Sequence, residues 1–334
     1  MTVIASALKT VISLLLALSN MALPGVFGAS NAANAPLDKG NCLLNFVAIS
    51  DTHIREDDSI GYNDMIFSLV MPDMENAEKK ADALIVAGDV TNHGYEAEWQ
   101  RAQQLFSQYS PAEKILTAQG NHDTWTDGVG DKTFDELFIE YNEKISGVDM
   151  KKVYYSTKVN GYTFIFLSSE ERLAEEMNIS QKQLNWLEKE MKKASKSGKP
   201  VFVVSHWPLN KTHGLPVSWG DDEYDDYTGG IGEQSDKVRK ILNKYKNVFY
   251  INGHIHSGFS NAQMAEKNGY QSIEKYGNIV SVNLPTVNAV NGNGHFMLGT
   301  GYNVEVYENE VVFRARSYAA GCWLPGYNYT FEIK

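Results

Sequence analysis

The segment YINGHIHSGF (residues 250–259) ends a short apolar run with a glycine and then places two histidines one residue apart. Side chains two residues apart share a face only in a regular strand. In an irregular turn after a strand, His254 and His256 can converge on one place, and Gly253 lets the backbone bend there. A His-x-His pair that stands alone is usually solvated or structural. The segment therefore predicts a metal site only if other strands end in further ligands.

Six short apolar runs, one of which leads into this segment, indicate buried strands. They are rich in β-branched and aromatic residues, and most are apolar throughout, which is typical of strands covered on both faces. The runs are LLNFVAIS (43–50), ALIVAG (83–88), KILTAQG (114–120), YTFIFLS (162–168), PVFVVS (200–205) and NVFYING (247–253).

Amphipathic helices are predicted between these runs, because apolar residues recur there at spacings of three and four. The predicted helices cover residues 95–110, 133–146 and about 180–194. The last opens with a capping box from Ser180 to Gln183. Strands that alternate with helices predict an α/β domain with a largely parallel central sheet. The stretch GYNVEVYENEVVFRARSY (301–318) alternates around a polar turn instead, which predicts an antiparallel hairpin in a second sheet packed on the first.

Asp, Asn or His residues follow five of the six runs, at the point where each predicted strand ends. The groups are Asp51-Thr52-His53, Gly88-Asp89, Gly120-Asn121-His122-Asp123, His206 and Gly253-His254-Ile255-His256. In open α/β sheets, ligands bind beyond the carboxyl ends of the strands. Any one of these residues alone is more often a turn residue, a helix cap or a solvated side chain. Five such endings at one edge predict a shared site.

The order D-x-H, G-D, G-N-H-D, H and G-H-x-H resembles the calcineurin-like metallophosphoesterases, over about residues 43–318. The resemblance implies an α/β fold in which two packed mixed β-sheets are flanked by helices. It also implies a dinuclear metal site at the carboxyl ends of the strands.

The same resemblance implies which residues hold the metal ions. One ion is expected on Asp51, His53, Asp89 and His256, and the second on Asp89, Asn121, His206 and His254. Asp89 would bridge the two ions, which in such sites lie about 3.5–4 Å apart and hold the attacking and leaving oxygens of a phosphoryl group. Imidazole, carboxylate and amide ligands suit manganese, iron or zinc. His254 and His256 are then paired because each serves a different ion.

By the same resemblance, His122 is a catalytic residue and not a ligand. It would stabilise the transferring phosphoryl group or protonate the leaving oxygen. Asp123 is a second catalytic candidate because it can orient His122, with a helix or turn cap as the alternative role. The implied reaction is direct attack of a metal-bound hydroxide on the phosphorus of a small-molecule phosphate ester, without a covalent enzyme intermediate.

The segment GDVTNHG (88–94) is similar to the signature of class III cyclic-nucleotide phosphodiesterases and related secreted phosphoesterases. Few cations accompany the metal motifs, Arg55 and Lys211 among them, and acidic residues cluster at 221–226. A monoester is nearly a dianion at neutral pH and needs more positive charge nearby, so phosphodiesters are the expected substrates. The alternatives are a phosphomonoesterase of the same fold and a non-catalytic metal-binding exported protein.

Two long insertions follow the metal motifs, at residues 210–232 and about 258–297. Loops that leave such an edge often carry specificity. In these insertions, His213 and His295 are candidates for substrate contacts, with an ordinary loop residue as the alternative. His93, in the segment GDVTNHG, is a candidate for contact with substrate or support of Asp89, with a cap of the following helix as the alternative.

The N-terminus has the charged, apolar and small-residue order of a secretory signal peptide. Residues 1–35 are the predicted signal peptide and short linker, and residues 36–334 a single domain, in which C-terminal strands at 300–334 complete the second sheet. We therefore expect a secreted or otherwise extracytoplasmic protein, with no membrane span after signal removal.

The charge bears on the kind of binding partner, and the cysteine content bears on whether the domain has a disulfide. The net charge is −11 and no basic run is long, so no nucleic-acid partner is expected. The two cysteines, Cys42 and Cys322, are compatible either with a disulfide between the ends of the domain or with two unpaired buried thiols.

Overall fold

The computed structural model describes residues 40–56, 62–125, 132–172, 176–215, 229–259, 270–287 and 299–334. The strands are β1 (Leu44–Ile49), β2 (Ala83–Val86), β3 (Ile115–Thr117), β4 (Tyr155–Val159), β5 (Tyr162–Phe166), β6 (Val201–Val204), β7 (Val248–Asn252), β8 (Ile273–Tyr276), β9 (Ile279–Asn283), β10 (Thr300–Val306), β11 (Glu310–Ser317), β12 (Cys322–Trp323) and β13 (Tyr329–Glu332). The helices are α1 (Tyr62–Glu75), α2 (Glu96–Gln108), α3 (Phe134–Ser146), α4 (Gln181–Ala194) and α5 (Ser235–Leu242). The predicted signal peptide at 1–35, the acidic residues at 221–226 and His295 lie outside the described ranges.

The strands form two mixed sheets. The first has seven strands in the order β12-β11-β10-β1-β2-β3, and β13 also pairs with β11. In it, β1 is parallel to β2, with Phe46 opposite Ala83, and antiparallel to β10, with Asn45 opposite Glu305. The second has six strands in the order β4-β5-β6-β7-β9-β8, of which β5, β6, β7 and β9 are parallel. Two mixed sheets flanked by helices confirm the expected fold class.

The core between the two sheets is aromatic. Measured between ring centroids, Phe46 of β1 lies 5.2 Å from Phe164 of β5 and 4.9 Å from Phe202 of β6. Alternate residues of the second sheet face the other way: Ile165 and Val203 join a separate buried cluster with apolar residues of α4 and α5. The strands β5 and β6 are therefore covered on both faces, which explains why their sequences are apolar throughout.

The six apolar runs do not share one sheet, and this corrects the prediction that they form one largely parallel central sheet. The strands β1, β2 and β3 lie in the first sheet, whereas β5, β6 and β7 lie in the second. The predicted hairpin at 301–318 is present as β10 and β11, and it extends the first sheet by pairing antiparallel to β1. An apolar run shows that a strand is buried, but it does not show which strand lies beside it.

Three helices form where the sequence predicts them, as α2, α3 and α4, whereas α1 and α5 were not predicted. Half of the predicted capping box is present, because the Gln183 backbone N–H donates to the Ser180 hydroxyl at 3.2 Å. The Gln183 side chain turns instead to Ser168, where it accepts from the backbone N–H at 3.2 Å and donates to the carbonyl at 2.9 Å. These bonds attach the start of α4 to the chain just after β5.

The two cysteines are free and too far apart to pair. Cys42 precedes β1, beside the end of β10 at Val306, while Cys322 pairs with Ser317 beside the other end of β10 at Thr300. Six residues of strand span about 20 Å, and a disulfide needs Cα atoms within about 7 Å. Of the two alternatives, the disulfide is wrong.

In the described ranges, no helix has the length and apolar character needed to cross a membrane.

Candidate metal centre

The carboxyl ends of strands from both sheets bring the predicted ligands together. Ligand atoms of Asp51, His53, Asp89 and His256 all lie within 4.8 Å of one another, and three of the four residues are buried. The His256 Nε2 atom lies 3.1 Å from Asp51 Oδ1, and the His53 Nε2 atom lies 3.6 Å from Asp89 Oδ2. The two imidazole nitrogens, Nε2 of His53 and Nε2 of His256, are 2.9 Å apart. This first group matches the residue set expected for one metal ion.

A second group contacts the same carboxylate oxygen of Asp89, Oδ2. The His206 Nε2 atom is 3.2 Å from Asp89 Oδ2 and 3.1 Å from Nδ1 of His254. The backbone N–H of His122 donates to Asp89 Oδ1 at 2.9 Å, which brings the neighbouring Asn121 to the same carboxylate. The Asn121 Oδ1 atom is buried and accepts no hydrogen bond from the residues that the structure describes. A buried acceptor of this kind is rare, and a metal ion at this position would satisfy it.

Backbone strain is concentrated in the same residues. Nine non-glycine residues of the described ranges have positive φ, and five of them are predicted ligands. These five are Asp51 at 57°, His53 at 43°, Asp89 at 49°, His254 at 74° and His256 at 53°. Such conformations cost about 1–3 kcal/mol each and cluster at functional sites. The chain therefore holds these turns in conformations that aim side chains at one point.

Two glycines allow the strand ends to approach each other closely. A Cβ atom on Gly120 would lie 2.1 Å from Asp89 Oδ1, and one on Gly253 would lie 1.9 Å from the Ser50 hydroxyl oxygen. Neither glycine has a positive φ. Gly253 is therefore not required by a left-handed conformation, and it leaves room beside Ser50 and Asp51.

The electrostatics of the cluster favour anionic carboxylates and two neutral imidazoles, those of His53 and His254, whereas the Asp51 carboxylate outweighs burial and raises the pKa of His256. Burial alone would raise the pKa of Asp51, but the imidazoles of His256 and His206 outweigh burial and hold that pKa at about 2. Burial also opposes ionisation of Asp89, and His206 and His53 reverse the effect, so that its pKa lies well below the usual value. Burial lowers the pKa of His53 and of His254 to about 3. Ionised carboxylates and neutral imidazoles are the forms that bind metal ions.

His206 differs from these imidazoles. Burial acts to lower its pKa, but the Asp89 and Asp51 carboxylates outweigh burial and raise the pKa to about 9. Its Nδ1 atom lies 2.9 Å from the Ala87 carbonyl, to which it donates, so Nε2 is the nitrogen that faces Asp89. A carbonyl partner on the far ring nitrogen is the usual way in which a ligand histidine is oriented. The chemistry of the whole donor set thus fits two metal ions that share Asp89.

His122 lies beside the ligands without being part of either group. Its Nδ1 atom donates to the Asn92 carbonyl at 2.8 Å, since a carbonyl can only accept. Its ring packs edge-on against His53, with centroids 4.5 Å apart, and stacks on Trp125. The remaining nitrogen, Nε2, is the one that can exchange a proton with a bound substrate.

Asp123 does not take the orienting role that was expected of it, because the Asn92 carbonyl occupies Nδ1 of His122. The Asp123 carboxylate is fully buried and accepts bonds from the Thr91 backbone N–H and hydroxyl, both at 2.8 Å, and from the Gly120 N–H at 2.9 Å. Burial, followed by the nearby Asp89 charge, raises its pKa to about 7. Asp123 therefore ties the turn after β2 to the turn after β3.

The remaining histidines lie in structural settings or outside the described ranges. The His93 Nδ1 atom lies 3.0 Å from Oε1 of Glu98, whose other oxygen accepts from the His93 backbone N–H at 2.7 Å, in the first turn of α2. His213 is buried, with Nδ1 2.7 Å from the Gln271 carbonyl and Nε2 2.9 Å from the Ser281 hydroxyl. His295 falls outside the described ranges.

Two contributors to the site were missed in the sequence. The Asn92 carbonyl has no sequence signal, because every residue carries one. Trp125 had a signal, since an aromatic residue follows G-N-H-D-T directly, but nothing in the spacing indicated that it would stack on His122.

Comparison with known proteins agrees with this geometry. A sequence search among curated proteins finds no significant match. A dimetal phosphatase from Danio rerio is similar in structure, with a TM-score of 0.59, 13% identity, and coverage of 88% of this chain and 100% of that chain. Vps29 from Chaetomium thermophilum and a protein serine/threonine phosphatase from Saccharomyces cerevisiae each have a TM-score of 0.32, at 9% and 12% identity, covering 81% of this chain and 84% and 75% of theirs.

The likeness to the Danio rerio protein concerns the fold alone, because the identity is low. The match of the sequence to a family model is more specific than this structural likeness. The family model described as calcineurin-like phosphoesterase matches residues 44–258, which is well over half of the chain and includes every candidate ligand and His122. This chain belongs to the calcineurin-like phosphoesterase family.

Proposed function

We propose that this chain is an exported, dinuclear metal-dependent phosphoesterase that hydrolyses small-molecule phosphodiesters in preference to monoesters. The observation that carries the proposal is the pair of ligand groups that share the Asp89 carboxylate, built from strand ends of both sheets. Its membership of the phosphoesterase family supports the same reaction class.

The residues proposed to hold the metal ions are those of the two groups. One ion lies among Asp51, His53, Asp89 and His256, and the other among Asp89, Asn121, His206 and His254. When bound, such ions polarise phosphoryl oxygens and make water a stronger nucleophile at neutral pH. Manganese, iron or zinc suits the mixed nitrogen and oxygen donors, and sulfur ligands are absent from the set.

The catalytic role that the protein itself supplies is assigned to His122. The Asn92 carbonyl accepts the proton on Nδ1, so the proton for the leaving oxygen comes from Nε2 of the doubly protonated imidazolium, which becomes the neutral Nδ1–H form. Its backbone N–H donates to Asp89 and its Nδ1 to the Asn92 carbonyl, so both the main chain and the imidazole are held beside the shared carboxylate. Asp123 supports this arrangement indirectly, because it joins the two turns that carry Asp89 and His122.

The preference for diesters rests on charge near the site. A monoester dianion would need cations beyond the metal ions. Arg55, the cation nearest the first motif in sequence, donates from Nη2 to Asn92 Oδ1 at 3.4 Å, so part of its hydrogen-bonding capacity is already used. Lys211 follows the His206 motif in sequence. The small number of such cations beside the metal motifs supports the diester proposal over the monoester alternative.

A comparison of two substrates tests the proposal. The protein is stripped with chelator and reconstituted with manganese, and kcat/KM is measured for bis(p-nitrophenyl) phosphate and p-nitrophenyl phosphate. We expect hydrolysis only after reconstitution, and a higher value for the diester. A higher value for the monoester would overturn the preference and leave the phosphoesterase assignment intact. No hydrolysis of either ester by protein that binds two equivalents of manganese would favour the non-catalytic alternative.

Export has a separate test. The full chain is expressed in a secreting host, and the N-terminus of the recovered protein is determined by mass spectrometry. We expect protein outside the cytoplasm that begins between residues 30 and 35. Protein found in the cytoplasm with Met1 retained would contradict export.

A further inference from the structure

Trp125 is a large apolar side chain that stays exposed beside the candidate metal centre. It follows the 3-10 turn His122–Thr124, and its backbone N–H donates to the His122 carbonyl at 3.3 Å. The indole stacks on the His122 imidazole, with ring centroids 4.9 Å apart and planes 14° apart, yet 38% of the residue is exposed. In the described ranges, the one other large apolar residue with comparable exposure is Leu43, which precedes β1 at the end away from Asp51.

The stack is offset, and the offset leaves part of the indole face uncovered. Rings in contact lie about 3.5 Å apart from plane to plane, so a centroid separation of 4.9 Å corresponds to a lateral shift of about 3.4 Å. The imidazole of His122 therefore covers only part of the larger indole. A planar group that lies in the plane of the imidazole, on the side toward the uncovered part, would meet the rest of that face.

The leaving group of the proposed reaction would be such a group. Nδ1 of His122 is committed to the Asn92 carbonyl, so the leaving oxygen must approach Nε2. A hydrogen-bond partner of an imidazole nitrogen lies in the plane of the ring. A flat substituent on that oxygen can then lie parallel to the indole of Trp125.

We propose that Trp125 is a specificity-determining residue that selects phosphodiesters whose leaving group carries a planar aromatic ring. This inference rests on the phosphoesterase function proposed above and names its substrate class. The aromatic ring stacks on the uncovered part of the indole while its ester oxygen faces Nε2 of His122. Stacking does not distinguish one aromatic ring from another, because it depends on the flat face of the ring and not on a pattern of hydrogen bonds.

The kinetic test uses two leaving groups of similar acidity and different shape. These are the phenyl group of methyl phenyl phosphate and the hexafluoroisopropyl group of methyl hexafluoroisopropyl phosphate. For Trp125→Leu we expect kcat/KM for the phenyl ester to fall about 5- to 100-fold, the range for one lost aromatic stack, while the non-planar ester stays within about 2-fold. Trp125→Phe keeps a flat ring and should retain most of the preference. The control Trp186→Leu removes a half-buried indole that packs on Tyr154, away from the motifs. It should leave the ratio of kcat/KM for the phenyl ester to kcat/KM for the hexafluoroisopropyl ester unchanged.

An equal loss for both esters in Trp125→Leu would overturn the inference, because it would mean that the indole only supports His122. No loss for either ester would overturn it as well.

A binding measurement separates this inference from the proposed function. The affinities of phenylphosphonate and cyclohexylphosphonate for manganese-loaded protein are measured by calorimetry. We expect wild-type protein to prefer the phenyl compound by about 5- to 100-fold and Trp125→Leu to bind the two equally. If neither diester is hydrolysed but this Trp125-dependent preference holds, the aromatic subsite stands and the hydrolase proposal fails. If both diesters are hydrolysed and wild-type protein shows no preference, the subsite is wrong and the hydrolase proposal stands.

Discussion

Asp89 is the residue on which both groups of candidate ligands depend. His53 approaches its carboxylate from one group and His206 from the other, at 3.6 Å and 3.2 Å. Its φ of 49° is in the left-handed region, where a residue with a Cβ is strained. Two imidazoles and a strained backbone around one buried carboxylate are the geometry expected of a bridging ligand.

The substitution Asp89→Asn should therefore remove metal and activity together. An amide is neutral and a weaker ligand for both ions, so we expect less than one metal equivalent per chain and a fall in kcat/KM of at least about 100-fold. Metal content is measured by mass spectrometry after desalting. The control is Asp82→Asn, just before β2, where the carboxylate accepts only from the Asn45 backbone N–H among the bonds described. Normal metal content in Asp89→Asn would exclude Asp89 from the centre.

The substitution His122→Ala should separate binding from chemistry. We expect both metal ions to remain, because His122 belongs to neither ligand group, and kcat to fall by about 10²–10⁴ for a poor leaving group. For a p-nitrophenyl leaving group, which needs no proton, the fall should be much smaller. Equal losses for good and poor leaving groups would contradict a role as general acid.

At the scale of elements, the loop after β6 is attached to the second sheet through His213. This histidine has a φ of 53°, and its ring is enclosed between the Gln271 carbonyl and the Ser281 hydroxyl of β9. Burial lowers its pKa, and the Glu274 carboxylate opposes that change without reversing it. The folded protein therefore keeps this imidazole neutral at a pH where a solvated histidine is protonated.

This difference predicts a pH dependence of stability. An unfolded histidine takes up a proton near pH 6.5. Below that pH the unfolded state binds more protons at this position than the folded state, so the free energy of unfolding falls as the pH falls. We expect His213→Gln, which keeps one donor and one acceptor, to lose less stability than wild-type protein between pH 7.5 and 5.5. Urea unfolding of chelated protein measures this, and identical pH slopes for the two proteins would contradict it.

At the scale of the whole molecule, β10 separates the two cysteines. Burial raises the pKa of both thiols, which makes them less reactive as well as distant from each other. We expect two titratable thiols per chain when the protein is denatured without reductant, even after recovery from an oxidising compartment. Protein reduced before denaturation is the control for full reactivity. A thiol count of zero in the unreduced sample would show that the cysteines pair.

The amino-acid sequence by itself determined the elements and the chemistry of the site. Apolar runs of strand length, followed by Asp, Asn or His, predicted β1, β2, β3, β6 and β7 and the side chains beyond them, because burial and ligand type are local properties of the sequence. The helix periodicity located α2, α3 and α4 for the same reason. The helices α1 and α5 were not predicted. The eight residues of α5 are too few for the pattern to repeat, and α1 contains Pro72, which disfavours a helix interior.

The tertiary structure alone decided how these parts combine. The sequence of a strand that is apolar on both faces does not indicate which strand pairs with it. The division of the runs between two sheets is seen only in the packed structure, where Phe46 packs against Phe164 and Phe202 across the core. The partner of His122 is a backbone carbonyl, which every residue has, so the sequence pointed to Asp123 while the fold used Asn92. Contacts between turns far apart in the chain depend on distances that only the packed sheets establish.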